Sequence, residues 1–429
     1  MDVVELARKL VQFPTVNPPG DEQEATHWVA GLLRAAGLEP VVLESRPGRS
    51  NLICRLPGRG LAPALLMHGH LDVVSVAGQQ WSVDPFSGLT ADGCLWGRGT
   101  LDMKGGVAMM VQAFLHAAAA PAGPRGDVLL AIFADEEQGG EWGAKWMVEQ
   151  HAGLFEGVRY AIGEFGGFRL HALGRRFYPI MVAEKQICQL RVRIRGRGGH
   201  GSIPQADGTL HRLSQVLRRL TRGRLPVVRS AAVEAMLEGV AGGFPRPVGW
   251  WLRRLDRCPL SDLIGLGPTG RMLQPLLRHT CVPTVVRAGA SVNVVPEEAS
   301  VDVDCRLVPP CTLEAFLAVF HRHVGHDVDV DVLAFTPPPP PPDLHLLPTL
   351  GGILRELDPG CLPLAMLLTG ATDGRHLSRL GIQSYGYLPM NLPRGFSFSR
   401  LVHAADERVP MDCLRFGEQA LCNLLDRLA

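Results

Sequence analysis

Short apolar segments of strand length alternate with helix-like segments along residues 1–185. The strand-like runs are Ala64–Met67, Val128–Phe133 and Tyr160–Ile162. Between the first two runs, the stretch Gly105–Ala120 is nearly apolar throughout, which predicts a buried helix. This alternation is typical of a largely parallel sheet covered by helices. We therefore predict an α/β domain here, with a mixed, largely parallel sheet flanked by helices.

The pattern changes after residue 185. Residues Gln186–Arg195 and Ala299–Arg306 alternate apolar and polar side chains, as strands with one solvated face do. A helix-like segment, Leu313–Val324, follows the second of them. The six prolines Pro337–Pro342 then predict a stiff spacer. The predicted organisation is an α/β domain in two parts, 1–185 and 337–429, interrupted by a smaller α+β domain, 186–336.

Composition excludes several classes of protein. The chain has 429 residues and a net charge of +1, so no global field gathers nucleic acid or an anionic membrane. Ten cysteines are spread singly, which argues against a disulfide framework and favours a reducing compartment. Residues 1–20 lack the features of a signal peptide, and no apolar stretch is long enough to span a bilayer. We expect a cytoplasmic protein.

Histidine and acidic side chains follow the strand-like runs. His70 and Asp72 follow the first run, Asp135–Glu137 the second and Glu164 the third, and Asp102 lies in a glycine-rich segment. Singly, each is more often a core histidine, a solvated acid or a turn former. Together they would meet where parallel strands end, and uncompensated carboxylates would repel one another there. Two divalent cations would neutralise them, and histidine with carboxylate suits zinc.

Eight short motifs span nearly the whole chain, namely Gly69–Asp72, Trp81–Gly88, Gly97–Gly106, Asp135–Glu137, Gly198–Ser202, Asn293–Pro296, Gly370–Asp373 and His403–Glu407. In this order they resemble the binuclear zinc peptidases related to aminoacylase, glutamate carboxypeptidase and succinyl-diaminopimelate desuccinylase. Arg306 and the long 225–283 region look most like the carboxypeptidase S and N-acyl amino acid hydrolase branch. The sequence departs from that pattern at Phe165, which separates Glu164 from a Gly-Gly pair.

The resemblance implies a zinc-peptidase catalytic domain with an inserted dimerisation or lid domain, and two Zn²⁺ per subunit. Co²⁺ or Mn²⁺ could occupy the same ligands. The implied metal ligands are His70, Asp102, Glu137, Glu164 and His403, with Asp102 shared by both ions. Asp72 would hold His70 in its metal-binding tautomer. A cis peptide bond is implied between Asp102 and Met103.

Catalytic roles follow from the same resemblance. Glu136 is expected to be the general base, taking a proton from water and passing it to the leaving amine. His200 would stabilise the oxyanion from the inserted domain of a partner subunit, which implies a homodimer. Asn293, Arg306 and Thr372 are the expected substrate-binding residues, and Arg306 could clamp a substrate carboxylate.

The expected activity is cleavage of an amide or peptide bond in a small substrate with a free carboxylate, such as an N-acyl amino acid or a dipeptide. Nucleic acid and membranes are not expected partners. Two alternatives use the same residues. One is an amidohydrolase of ureido or other non-peptide amides, and the other is a non-catalytic dimeric binding protein of the same fold.

Overall fold

The computed structural model describes residues 1–172, 174–222, 224–254 and 274–428. The chain divides into two compact units. Unit 1 comprises Met1–Ala183, Pro342–Met366 and Thr372–Ala429, and unit 2 comprises Glu184–Pro341 and Leu367–Ala371. The ranges 1–185, 186–336 and 337–429 stay a prediction of domain boundaries. Of the 225–283 region, residues 255–273 lie outside the described residues.

The helices and strands are numbered here in chain order. The α-helices are α1 Val3–Val11, α2 Gln23–Ala35, α3 Lys104–Ala119, α4 Ala144–Gln150, α5 Thr209–Arg222, α6 Ala231–Gly242, α7 Arg246–Leu252, α8 Leu313–Val324, α9 Leu347–Leu357, α10 Gly374–Leu377, α11 Phe398–Leu401 and α12 Met411–Leu428. The strands are β1 Val41–Arg46, β2 Arg49–Leu56, β3 Ala64–His70, β4 Thr90–Ala91, β5 Cys94–Trp96, β6 Val128–Phe133, β7 Val158–Gly163, β8 Leu170–Ala172, β9 Arg175–Glu184, β10 Gln186–Arg195, β11 Gly199–His200, β12 Thr280–Ala288, β13 Val294–Val295, β14 Glu298–Leu307, β15 Asp329–Phe335, β16 Leu362–Leu368, β17 Gln383–Gly386 and β18 Arg408–Pro410. Within the described residues, none of the helices combines the length and apolar character that crossing a bilayer requires.

The large sheet of unit 1 has the strand order β1-β2-β6-β3-β7-β17-β9-β16. At its centre, β3 pairs in parallel with β6 and β7, and β7 pairs in parallel with β17. The pairs β1–β2, β2–β6 and β9–β17 are antiparallel. Every residue of β3 and β6 is buried, as expected for strands covered on both faces. The predicted α/β class with a mixed sheet is confirmed.

Helix α3 lies in the interior of unit 1, as its apolar sequence predicts. It packs against α1 and α12 as well as against the sheet. Gly417 of α12 permits this packing, because a Cβ atom there would lie 1.9 Å from the Met109 sulfur of α3. Close helix contact fixes α3, and therefore the residues 97–103 that precede it.

Unit 2 contains an antiparallel sheet of strand order β12-β14-β10-β15. Burial alternates along β10 and β14, whose inward side chains pack with Phe316 and Phe320 of α8. The strand β12 falls partly in the 225–283 region. Pro283 interrupts its register, and a proline is tolerated there because β12 is an edge strand.

Candidate metal centre

The parallel strands β3, β6 and β7 end at one edge of the large sheet. His70 is the last residue of β3 and is in register with Phe133, the last residue of β6. Residues 135–137 follow β6, and Glu164 directly follows β7. Because parallel strands point the same way, their carboxyl ends share this edge. Three of the predicted groups therefore converge there.

The first cluster surrounds His70, whose side chain is buried. Its Nε2 atom lies 3.3 Å from Asp102 Oδ1, 3.4 Å from Glu164 Oε2 and 3.9 Å from Glu136 Oε2. Burial by itself lowers the pKa of the His70 imidazole, but the surrounding carboxylates of Asp102, Asp72 and Glu164 raise that pKa well above its ordinary value. The imidazole thus faces a strongly negative environment.

The second cluster surrounds His403. Its Nε2 atom lies 3.2 Å from Asp102 Oδ2 and 3.3 Å from Glu137 Oε2. The carboxylates of Asp102 and Glu137 raise the pKa of the His403 imidazole to about 10. The two oxygens of the Asp102 carboxylate therefore face different histidines, which is the arrangement a ligand shared by two ions needs.

Both clusters have the donors of divalent-cation sites. Two sets of three side chains each bring their possible ligand atoms within 4.8 Å of one another. The first set is His70, Glu136 and Glu164, and the second is Asp102, Glu137 and His403. Both carboxylate oxygens of Glu164, together with Glu137 Oε1 and His70 Nε2, are buried without a hydrogen-bond partner. Burial and the Asp102 carboxylate raise the pKa of Glu164 to about 8. Buried, unpartnered carboxylates are costly, and cations at both positions would neutralise them, so these residues fit two metal ions.

Asp72 organises the turn that carries the two adjacent glutamates. Its Oδ1 accepts the backbone N–H of Glu136 at 3.1 Å, and its Oδ2 accepts that of Glu137 at 3.0 Å. The Nδ1 atom of His70 lies 3.0 Å from the Asp72 carbonyl oxygen and 3.4 Å from Asp72 Oδ1. Asp72 thus orients the imidazole and also fixes the backbone on which Glu136 and Glu137 are held.

A buried polar network supports Asp72 from behind. The Asn17 amide donates to Asp72 Oδ2 at 2.8 Å and to Asp135 Oδ1 at 3.0 Å. The Arg49 guanidinium donates to Asn17 Oδ1 at 2.7 Å and pairs with Glu22 at 2.5 Å. All five of these side chains are buried. Sequence reasoning missed Asn17, Arg49 and Glu22, which lie outside the eight motifs.

A second buried ion pair connects the loops that carry Asp102 and His403. Arg98 donates to Glu407 Oε2 at 2.7 Å and to the Ala404 carbonyl at 3.1 Å. Glu407 Oε1 accepts the backbone N–H groups of Gly99, Leu101 and Asp102, the second at 2.8 Å. Arg98 and Glu407 are buried, and they lie in two of the eight motifs, Gly97–Gly106 and His403–Glu407. The sequence analysis assigned no role to either residue. The available signal was that each is a charged residue in a motif that also contains a predicted metal ligand.

Two backbone features border the centre. The peptide bond between Asp102 and Met103 is cis, which confirms that expectation. Phe165 has a φ of 57°, a left-handed conformation that is uncommon for a residue with a side chain. The next residue, Gly166, packs so closely that a Cβ atom there would lie 2.1 Å from the Gly386 carbonyl oxygen. Glu164 is thereby held at the end of β7 with its carboxylate facing His70.

Thr372 is buried in unit 1, and its Oγ1 accepts the backbone N–H of Gly374 at 3.0 Å. The neighbouring Arg375 donates to the Gly139 carbonyl at 2.7 Å. His376 Nε2 lies 3.1 Å from the same oxygen. This segment therefore braces the loop that follows Glu136 and Glu137.

The remaining predicted residues lie in unit 2. His200 is exposed on β11, is paired with Val294 of β13, and its Nδ1 lies 2.8 Å from Ser202 Oγ. Asn293 is also exposed, and its carbonyl accepts the N–H of Gly201, so it neighbours His200. Arg306 is half-buried on β14, where its Nε lies 3.1 Å from Asp304 Oδ2.

Comparisons with known proteins bear on this site. Residues 66–427 match the model of the peptidase family M20/M25/M40. Human N-fatty-acyl-amino acid synthase/hydrolase PM20D1 is 30% identical over 381 residues, covering 81% of this chain and 70% of that protein. Succinyl-diaminopimelate desuccinylase from Paracoccus denitrificans is 27% identical over 437 residues, covering 99% of this chain and 98% of that protein.

Solved structures share the fold at low sequence identity. The M20 family metallo-carboxypeptidase Sso-CP2 from Sulfolobus solfataricus has a TM-score of 0.72 at 16% identity, with 99% of each chain covered. The Bacillus subtilis YXEP protein, described as a dinuclear metal-binding peptidase from the M20 family, has a TM-score of 0.60 at 15% identity, with 99% of this chain and 97% of that chain covered.

Proposed function

Since the chain belongs to peptidase family M20/M25/M40, we propose that it uses two divalent cations to hydrolyse the amide or peptide bond of a small substrate. The observation that carries this proposal is the Asp102 carboxylate, whose two oxygens lie beside His70 and His403, together with the buried, unpartnered carboxylate oxygens of Glu164 and Glu137. The relatives named as N-fatty-acyl-amino acid synthase/hydrolase and succinyl-diaminopimelate desuccinylase support a small amide as substrate.

In this proposal, Asp102 is shared by both cations. His70 and Glu164 complete one site, and Glu137 and His403 complete the other. The distances from each imidazole Nε2 to its carboxylates, 3.2–3.4 Å, support this division. Zinc is the proposed metal, because one histidine and carboxylates suit it, and Co²⁺ or Mn²⁺ could bind the same donors. When bound, the cations supply Lewis acidity, which acidifies water and polarises the substrate carbonyl.

Glu136 is the proposed general base. Its Oε2 lies 3.9 Å from His70 Nε2, farther than the carboxylates of Asp102 and Glu164, which suits a group beside a metal site rather than one bound to it. Burial, followed by the Glu164 carboxylate, raises the pKa of Glu136 well above its ordinary value. A raised pKa makes Glu136 a better proton acceptor, so it can take a proton from water and give it to the leaving amine.

Substrate recognition and assembly complete the proposal. A free carboxylate on the substrate would bind Arg306, with Asn293 and Thr372 as further contacts. We also propose a homodimer in which His200 of one subunit stabilises the oxyanion formed in the other. The exposed valines of edge strand β12 support self-association, since an exposed apolar sheet edge invites pairing. We also propose a reducing compartment, the cytoplasm, because the ten cysteines are spread singly along the sequence.

Replacing Glu136 with Gln tests the base directly. The variant keeps the size of the side chain but cannot accept the proton, so turnover of a panel of N-acyl amino acids and dipeptides should fall by about a hundredfold to ten-thousandfold. Zinc content, measured by elemental analysis, should stay at two ions per subunit, because Glu136 is not a proposed ligand.

Glu141→Gln is the matched control. Glu141 lies in the same loop, but it is exposed and pairs with Lys145 at 2.7 Å. This variant should retain full turnover and full zinc content. Unchanged turnover in Glu136→Gln would reject Glu136 as the base, whereas loss of zinc together with turnover would assign it to the metal ligands.

A further inference from the structure

We propose that Cys281 and Cys305 of unit 2 are a modification site, at which a small-molecule disulfide such as glutathione disulfide converts the two thiols into a reversible disulfide bond. Neither cysteine belongs to the eight motifs or to the proposed metal centre. The inference therefore goes beyond the proposed function and does not depend on it. It rests on where the strands β10, β12 and β14 place three of the cysteines.

These three cysteines form a row across the sheet of unit 2, and their thiols are free. Cys305 of β14 is in register with Cys281 of β12 on one side and with Cys188 of β10 on the other. Residues directly opposite each other on neighbouring strands lie on the same face of a sheet. Here that face is the inner one, because Cys188 and Cys305 belong to the hydrophobic core of unit 2 and Cys281 packs against it.

Pro283 shows which type of pair Cys281 and Cys305 form. Along an antiparallel ladder, pairs that exchange two backbone hydrogen bonds alternate with pairs that exchange none. Pro283 is in register with Val303 and has no N–H, so that pair is not hydrogen-bonded. Cys281 and Cys305 lie two residues farther along an unbroken register, so they are a non-hydrogen-bonded pair as well. The N–H and C=O groups of Cys305 then face β10, which makes Cys188 and Cys305 a hydrogen-bonded pair.

The type of pair decides which cysteine can be bridged to Cys305. A disulfide requires Cβ atoms about 3.5–4.5 Å apart. Directly opposite residues have Cβ atoms about 4.5–5.5 Å apart, and the shorter value belongs to non-hydrogen-bonded pairs. Cys281 therefore meets the requirement, whereas Cys188 is about 1 Å too far away. The side chains agree with this assignment, since the thiols of Cys281 and Cys305 are hydrogen-bonded to each other.

Exposure gives the two thiols different roles. Cys281 is half-buried on the edge strand β12, so a small disulfide can reach it from solvent. Cys305 is fully buried, and its hydrogen bond with Cys281, followed by burial, raises the pKa of its thiol. The thiolate is the nucleophile, so a buried thiol with a raised pKa reacts slowly. Cys281 therefore reacts first, and Cys305 completes the bond.

The exchange takes place in two steps. The Cys281 sulfur attacks one sulfur of glutathione disulfide, forms a mixed disulfide and releases one glutathione. The Cys305 sulfur then attacks the Cys281 sulfur, closes the bond and releases the second glutathione. Two electrons pass from the protein thiols to glutathione disulfide, and the two protons of the cysteines end on the two glutathione thiols. Excess glutathione reverses the reaction, and transient bonds of this kind serve redox sensing in reducing compartments.

Peptide mapping after treatment with glutathione disulfide tests the pair directly. Trypsin cleaves after lysine and arginine, which places the three cysteines of the row on the separate peptides 186–191, 279–287 and 288–306. In the full-length, zinc-loaded protein, the peptides of Cys281 and Cys305 should become linked. The thiols that react with iodoacetamide after unfolding should fall from ten to eight per chain, and dithiothreitol should restore them.

Two variants separate the roles of the thiols. Cys305→Ala should hold glutathione on Cys281 as a stable mixed disulfide, because the thiol that displaces it is missing. Cys281→Ala should form no adduct at residue 305 and should keep all of its thiols. Cys188→Ala is the matched control, since it removes an equally buried thiol from the same row. This control should link the two peptides as the wild-type protein does.

The wild-type protein decides the inference even if a variant does not fold. Ten reactive thiols after treatment, or a stable glutathione adduct on Cys281 of the wild-type protein, would overturn it. A bond between Cys305 and Cys188, or between any other two cysteines in place of the Cys281–Cys305 bond, would overturn it as well.

Discussion

The ion pair between Arg98 and Glu407 offers a sharp test of how the proposed metal centre is supported. Replacing Glu407 with Gln preserves the shape of the side chain and removes its charge. In wild-type Glu407, one carboxylate oxygen accepts backbone N–H groups from the loop of Asp102, and the other accepts from Arg98. In the variant, one of these two oxygens is replaced by an amide nitrogen. A donor then meets a donor in a site where Glu407 is fully buried.

The magnitude follows from these contacts. Removing one partner of a buried ion pair costs about 3–5 kcal/mol, because the other charge stays buried and uncompensated. Arg98 keeps two acceptors, the Ala404 carbonyl at 3.1 Å and Gln79 Oε1 at 2.7 Å. We therefore expect the lower end, a loss of about 3 kcal/mol in the free energy of unfolding of the metal-free protein. Loosening the loops of Asp102 and His403 should also weaken zinc binding about tenfold to a hundredfold.

Urea unfolding of the metal-free protein and competition with a zinc chelator measure the two effects separately. Glu5→Gln is the control, because Glu5 pairs with Arg8 at 2.8 Å on the surface, where such a pair contributes less than about 1 kcal/mol. An unfolding free energy within about 1 kcal/mol of wild type in Glu407→Gln, with unchanged zinc affinity, would refute the reasoning.

Two further predictions concern metal removal and pH. Chelation should lower the melting temperature, and a calorimetric titration with chelator should show two steps, since His70 is buried whereas the His403 side chain is 46% exposed. A titration with a single step would contradict the expectation that the two sites release their cations separately. Burial lowers the pKa of Lys185 from 10.5 to about 7, so between these values the unfolded chain binds more protons, and the unfolding free energy of the metal-free protein should rise with pH. Lys185→Met should show a smaller rise than the wild-type protein in urea unfolding measured across that range, because burial also lowers the pKa of Lys104 to about 7, and an unchanged rise would exclude Lys185 as a contributor.

Several elements could be predicted because their sequence pattern is local. The strand β6, Val128–Phe133, has the bounds that its apolar run indicates, and so does the helix Leu313–Val324. The positions of His70 and Glu164 at strand ends follow from the same pattern. Periodicity and strand direction are enough to predict which side chains meet at one edge of a parallel sheet.

Other features depend on contacts that no local pattern encodes. Arg49 and Asn17 are 32 positions apart, and Arg98 and Glu407 are 309 apart. A charged residue in isolation is most often solvated, so nothing in the sequence around Arg49 indicates that its guanidinium is buried. No strand is predicted at β12, since a proline within an apolar run argues against a strand, and only the position of β12 at a sheet edge makes Pro283 acceptable.

The two halves of the proposed metal centre are supported in different ways. His70 and Glu164 stand at the ends of strands β3 and β7, so the backbone hydrogen bonds of the sheet fix them. Asp102 and His403 lie in loops, and a flexible loop cannot hold a ligand to the tolerance a metal requires unless other side chains brace it. Arg98 and Glu407 supply that brace by joining the two loops directly. Because Asp102 faces both histidines, a loss of the brace would reach the sheet-supported site as well, and the two cations would therefore depend on one buried ion pair.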